Sequence, residues 1–380
     1  MIRPPPFPWF GGKSRVAHVV WRWLGDVNHY VEPFAGSLGV LLNRPRGHVG
    51  STSTINDRDA YVANFWRAVS AAPEEVARHA NWPVNETDLF SRHLWLVNSG
   101  RERLEALEAD PEFYDAQVAG WWVWGQCAWI GGGWCSGKGP WHLSKDGGVE
   151  RIDDVGGTAG QGVKRKRVHL GNAGRGVKRQ LVHLGNEGQG VKRKRVHLGD
   201  TGRGVNRQRV HLAAGQGVKR PYQDMTAYMY ELRDALRHVR VCCGDWSRVV
   251  TDGALSIAGT VGVFLDPPYS GEVRRSDIYA VDDYSCSVAV REWALAHEND
   301  HRLRIVLAGY EAEHAAHMPP TWRKYSYRSQ RAYGNSHRTT ANAFNRTQER
   351  LWLSPSCVGD EVQSSLGFET ASQAEKGGSR

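Results

Sequence analysis

Apolar positions along this chain fall into two rhythms, separated by stretches that have neither. Residues 15–24 (RVAHVVWRWL) and 60–70 space their apolar side chains at helical intervals and predict two short amphipathic helices. Residues 30–34 (YVEPF) and 53–56 are brief β-permissive runs and predict strands. The first ends in Ala35-Gly36-Ser37-Leu38-Gly39 and the second at Asp57. Strand, glycine turn, helix, strand, acid is the order of a nucleotide-binding βαβ unit. Beyond Pro73 the alternation stops. A helical pattern at 101–109 and a Trp/Gly-rich stretch reaching about residue 150 predict a separate, smaller domain. The α/β rhythm returns at Met225, with a helix over 227–239, strands over 240–244 and 261–265 (VGVFL), a helix over 288–296 and a strand over 303–307. Two antiparallel strands are expected at 323–328 and 349–353, and a polar, disordered tail after Pro355.

Self-comparison adds a repeat. Val163, Val177, Val191 and Val205 recur every 14 residues, as do His169, His183, His197 and His211. Each unit carries so few apolar residues that burial cannot offset the ordering entropy, so a flexible basic loop is expected rather than a folded meander. Charge sharpens the point. The 380-residue chain has a formal charge of +9, yet residues 160–220 alone hold 16 basic and two acidic residues, +14, which leaves −5 on the remainder. Lys and Arg at this density bind phosphates without reading sequence; a solvated linker is the plainer alternative.

Six of the 16 Trp fall between Trp121 and Trp141. Residues 116–137 run uncharged for the length of a membrane span, but six glycines and two glutamines argue for a partly buried Trp-rich surface instead. The six cysteines form no CxxC pair, and the N-terminus has no apolar signal segment, so reduced thiols in the cytoplasm are expected. Cys127, Cys135 and His142 lack a fourth ligand and zinc spacing, and the repeat histidines have no Cys or acidic partner, so no metal is expected.

The sharpest chemistry is Asp266-Pro267-Pro268-Tyr269, directly after the apolar run 261–265. In an open α/β sheet, ligands bind beyond the carboxyl ends of the strands. A carboxylate at Asp266 and the Pro267 carbonyl suit an exocyclic amine such as that of adenine. They accept both its hydrogens and aim a weak nucleophile, while Tyr269 stacks on a base taken out of the duplex. Read alone, the tetrapeptide is equally a strand-ending turn with an aromatic for packing. Phe34 and Gly36 lie in a turn that departs from GxGxxG and suits a nucleoside with a non-phosphate tail. Asp57, 21 residues after Gly36, has the spacing of an acid that reaches ribose hydroxyls.

With Pro8-Trp9-Phe10-Gly11-Gly12-Lys13, these motifs resemble the Dam-like family of adenine-specific DNA methyltransferases over roughly residues 8–355, the repeats excepted. The resemblance implies a Rossmann-like, S-adenosylmethionine-dependent α/β catalytic domain, made from residues 1–70 and 225–355, interrupted by a target-recognition insertion over 71–224 that contains the basic repeats. The tail spans 356–380. It implies cofactor contacts at Trp9, Lys13, Phe34, Gly36, Asp57, Asp245 (in Cys243-Gly244-Asp245-Trp246) and Asp266, and catalysis by Asp266, Pro267 and Tyr269. Segments 308–310 and 349–352 resemble later strand motifs of the family. Expected partners are double-stranded DNA and S-adenosylmethionine, with no membrane and a monomeric state. A phage or mobile-element setting, a restriction endonuclease partner and a GATC target stay open. The competing readings are an RNA or cytosine-amino methyltransferase, and a non-catalytic nucleic-acid binder acting through the repeats.

Overall fold

The computed structural model describes residues 5–9, 11–45, 52–129, 134–135, 225–268, 285–327 and 349–359, and the backbone of 141–143 and 149–151. Tyr269, Phe10, the repeats at 160–220 and residues 360–380 lie outside the described residues, whereas the first residues of the tail expected to be disordered over 356–380 are packed on the body, with Cys357 buried and Val358 N–H donating to Trp23 O at 2.9 Å.

Seven strands build one sheet: β1 (His29–Glu32), β2 (Thr52–Asp57), β5 (Val239–Cys243), β6 (Val261–Leu265), β7 (Leu303–Tyr310), β8 (Arg323–Ser326) and β9 (Glu349–Leu353). β3 (Trp141–Leu143) and β4 (Val149–Arg151) form a separate antiparallel pair. The sheet order is β5-β2-β1-β6-β7-β9-β8. β5, β2, β1, β6 and β7 pair in parallel, and β9 runs antiparallel between β7 and β8. β6 is buried at all five positions, as an uninterrupted apolar run covered on both faces must be. The edge strands β5 and β8 alternate exposed and half-buried residues over most of their length.

Pleat alternation sends neighbouring side chains into two layers. Tyr30, Phe264, Val306, Ala308, Leu351 and Leu353 join a cluster with the helices Ala17–Leu24, Ala60–Ala71 and Met225–Ala235. Val31, Val263, Leu265, Ile305, Leu307 and Trp352 pack on the other face with helix Cys286–Ala296. A mixed α/β architecture with helices on both faces of a mostly parallel sheet results, consistent with a methyltransferase fold.

Local expectations are met unevenly. Between β1 and β2 the helix implied by the βαβ order is a single 3-10 turn, Leu41–Asn43, among the described residues. The helix expected at 101–109 is broken into Arg101–Arg103 and a 3-10 turn Glu105–Glu108. Only Leu104 and Leu107 in that stretch are buried, and a spacing of three suits 3-10 winding rather than a full amphipathic face. The Trp-rich stretch contains helix Ala116–Ala128, which packs against Ala60–Ala71 and Pro73–Ala80 and buries Trp122 and Trp124. A helix apolar on all sides is a core helix. Among the described residues none is long and apolar enough to cross a membrane.

Candidate active site

The chain lays β2 and β5 on one side of β1 and β6 and β7 on the other, so the sheet's switch point lies between β1 and β6. A cleft of about 300 Å³ opens there. Among the described residues it is lined from six separate stretches of sequence: Trp9 with Gly11 to Lys13, Glu32 to Ser37 with Gly39, Asn56 to Asp59, Gly244 to Trp246, Phe264 with Asp266 and Pro268, and Ser285, Cys286 and Ala289.

The turn after β1 folds back on β2. Gly36 N–H donates to Asp57 Oδ2 at 2.8 Å, and Asp59 N–H donates to Oδ1 at 2.9 Å. Asp59 in turn caps helix Ala60–Ala71 by accepting from Tyr61 N–H. Gly36 takes φ +44°, and a Cβ there would meet the Trp9 indole at 2.4 Å, so glycine is needed for both conformation and space. Leu38 shares the left-handed region at φ 53°. Gly39 does not; it serves close approach, since a Cβ would sit 2.8 Å from Ser14 N. Burial above all, then the Asp59 charge, pushes Asp57 up to about 7, against the lowering effect of its backbone donors.

Asn56 ties two loops together by donating to Pro33 O at 3.1 Å and Gly244 O at 3.0 Å. Its Oδ1 is buried on the cleft wall without a hydrogen-bond partner among the described residues. Phe34 and Trp246 lie roughly parallel, 6.2 Å between centroids. Asp245 lines the same wall, and its Oδ1 accepts from Ser247 N–H at 3.0 Å and Ser247 Oγ at 2.6 Å, which caps the turn Trp246–Val249.

Across the cleft, the Lys13 ammonium donates to Asp266 Oδ2 at 2.9 Å and to Gly11 O at 2.7 Å. Lys13 is almost wholly buried, whereas Asp266 keeps 20 % of its side chain open. Pro267 is buried and Pro268 lines the cleft. On the floor, Tyr30 OH donates to Glu32 Oε2 at 2.9 Å. Burial pushes Glu32 up to about 8, with the Asp266 charge adding to the rise and the Tyr30 bond opposing it.

Trp9, Lys13, Phe34, Gly36, Asp57, Asp245 and Asp266 are therefore all brought to one cleft; Tyr269 lies outside the described residues. Sequence reasoning gave no role to Glu32, Asn56 or Trp246. The alternation of Tyr30 and Glu32 on one strand hinted at the first pair; nothing local marks the bonds of Asn56 to Gly244, 188 residues away. A nucleoside-sized ligand finds here an acid held by two amides, an acceptor without a donor, flat aromatic surface and carboxylates at the open end. Groups of His, Cys, Asp and Glu able to hold a metal are absent among the described residues.

No curated protein matches the chain. Residues 9–104 match the family described as D12 class N6 adenine-specific DNA methyltransferase. The matched span contains Trp9, Lys13, the Gly36 turn and Asp57, so this part of the chain is similar to that family.

Proposed function

We propose that the protein transfers a methyl group from S-adenosylmethionine to the N6 amino group of an adenine flipped out of double-stranded DNA. The observation that carries this reading is the Lys13–Asp266 pair in the same cleft as the Gly36–Asp57 turn. It joins the N-terminal motif, the glycine turn and the Asp-Pro-Pro turn in one site.

The residues fit the cofactor. Asp57 has lone pairs left for ribose hydroxyls, Asn56 Oδ1 awaits a donor, and Phe34 with Trp246 offers surface for a purine. The cofactor supplies a methyl group already activated on a sulfonium, and no metal is needed for that. The chain's task is positioning. Asp266 Oδ1 and the Pro267 carbonyl accept the two amino hydrogens and turn the nitrogen lone pair toward the methyl carbon. Lys13 fixes the carboxylate through its other oxygen, and Tyr269 stacks on the base. Residues 71–224 serve target recognition, with the 160–220 repeats gripping phosphates.

Asp266→Asn keeps the shape of the side chain beside Lys13 and removes its charge. Labelled methyl transfer to unmethylated bacterial DNA is expected to fall about a hundredfold or more, with DNA affinity retained. Transfer near the wild-type rate in folded variant would overturn the catalytic assignment.

A further inference from the structure

The cofactor motifs use the β5-β2-β1 half of the sheet. At the same carboxyl edge, the β7-β9-β8 half holds a polar cluster that the cleft lining does not include. Tyr310 stands opposite Glu349 in the β7–β9 register, and Ser326 stands opposite Arg350, which brings Tyr327 level with Glu349. Tyr327 OH donates to Glu349 Oε2 at 2.8 Å. Glu349 is 6 % exposed, and no cation pairs with its carboxylate among the described residues. Alternation places it on the sheet face of Leu351 and Leu353, the face shared by Phe264 and, two residues on, by Asp266. Leu265 pairs with Leu307 and Ala308 with Leu351, so the Glu349 backbone lies two strand spacings, about 10 Å, across from Asp266 and two residues, about 7 Å, further toward the carboxyl edge. Burial raises the Tyr327 phenol well above its ordinary range, and the charges of Glu349 and Asp266 raise it further, as three groups in one electrostatic neighbourhood would.

A buried carboxylate without a cation is costly unless a cation arrives. Methyl transfer brings one. As the amino nitrogen forms its bond to the methyl carbon, the C–S bond breaks with its electron pair left on sulfur, and the positive charge passes to nitrogen. The nitrogen then releases one proton to Asp266 and on to water. Asp266 is already largely compensated by Lys13. We propose that Glu349, held by Tyr327, is a positioning residue on the acceptor side of the cleft, whose charge stabilises the amino nitrogen as it becomes positive. This rests on the methyltransferase reading above.

The test compares wild type, Glu349→Gln and Tyr327→Phe in steady-state transfer from labelled S-adenosylmethionine to unmethylated bacterial DNA, with S-adenosylhomocysteine and DNA affinities measured separately and folding checked by melting. Glu349→Gln is expected to lower kcat about tenfold or more, with both affinities unchanged; Tyr327→Phe falls between it and wild type. Glu349→Asp recovers part of the loss. Lower melting temperatures with kcat intact in both variants would make the pair a mere tie between β8 and β9 and overturn the inference. If wild type itself transfers no methyl group, the underlying reading fails instead.

Discussion

Three carboxyls lining the cleft, Glu32, Asp57 and Asp59, carry raised proton affinities, with consequences that pH can reveal. Glu32 moves from 4.5 to about 8 and Asp57 from 3.8 to about 7, burial being the main cause in each. A raised acid favours the folded state while protonated. Its stabilisation is complete below the unfolded value and is lost as pH rises through the folded one. Burial lowers His93 and His314 to about 4, which adds stability as pH rises toward their unfolded 6.5, so the ligand-free protein is expected to melt at progressively lower temperature only from about pH 7 to about pH 9, and Glu32→Gln should flatten that slope. A melting curve that rises over this window would contradict the burial of these groups. Cofactor binding should pull the same equilibrium the other way, because ribose hydroxyls and a cationic ligand favour the ionised carboxylates. Calorimetry at neutral pH in buffers of different ionisation heat should register net proton release on binding. Of these residues, Asp57 was legible from its distance to Gly36, since an acid at the end of the next strand follows from the βαβ order. The pairing of Lys13 with Asp266 was not, because no spacing rule links a loop before the first helix to the end of β6.

Elements whose signal is local came out close to expectation. β6 and β9 have the bounds read from the sequence, and helices Ala60–Ala71 and Cys286–Ala296 differ by one or two residues at an end. Continuous apolar runs and helical spacing suffice there, because burial on the sheet rewards the same pattern that propensity favours. Helix Ala116–Ala128 shows the limit. Apolar around its whole circumference, it has no face to read, and its place is set by partners distant in sequence. Gly120 reports that packing, since a Cβ would sit 2.3 Å from His79 Cβ and 2.9 Å from Val76 O. Gly120→Ala should destabilise the protein by about 1–3 kcal/mol in urea unfolding, more than alanine's helix propensity can offset. A stability equal to wild type would mean that these helices do not meet so closely. Trp122→Ala, in the ring cluster with Phe7 and Phe65, should cost about 3–5 kcal/mol in the same assay.

At the scale of the molecule, the charge of +9 divides into a weakly acidic body and the basic stretch 160–220. If the stretch grips phosphates, deleting it should weaken DNA binding on every sequence and flatten the dependence of log affinity on log salt, with cofactor affinity unchanged. A deletion that instead changes which site is methylated would make the repeats part of base readout. Periodicity, punctuation and motif order were enough by themselves to determine an α/β sheet, the strand ends that carry chemistry and a family resemblance, because each depends on neighbours within a few tens of residues. The tertiary structure decided what those cannot reach: the strand order that puts β6 beside β1, the meeting of Lys13 with Asp266, the loops tied by Asn56, and Glu349 with Tyr327 on the far side. Such contacts pair groups far apart in the chain, and only burial in one shared core selects among the many partners each group might have had.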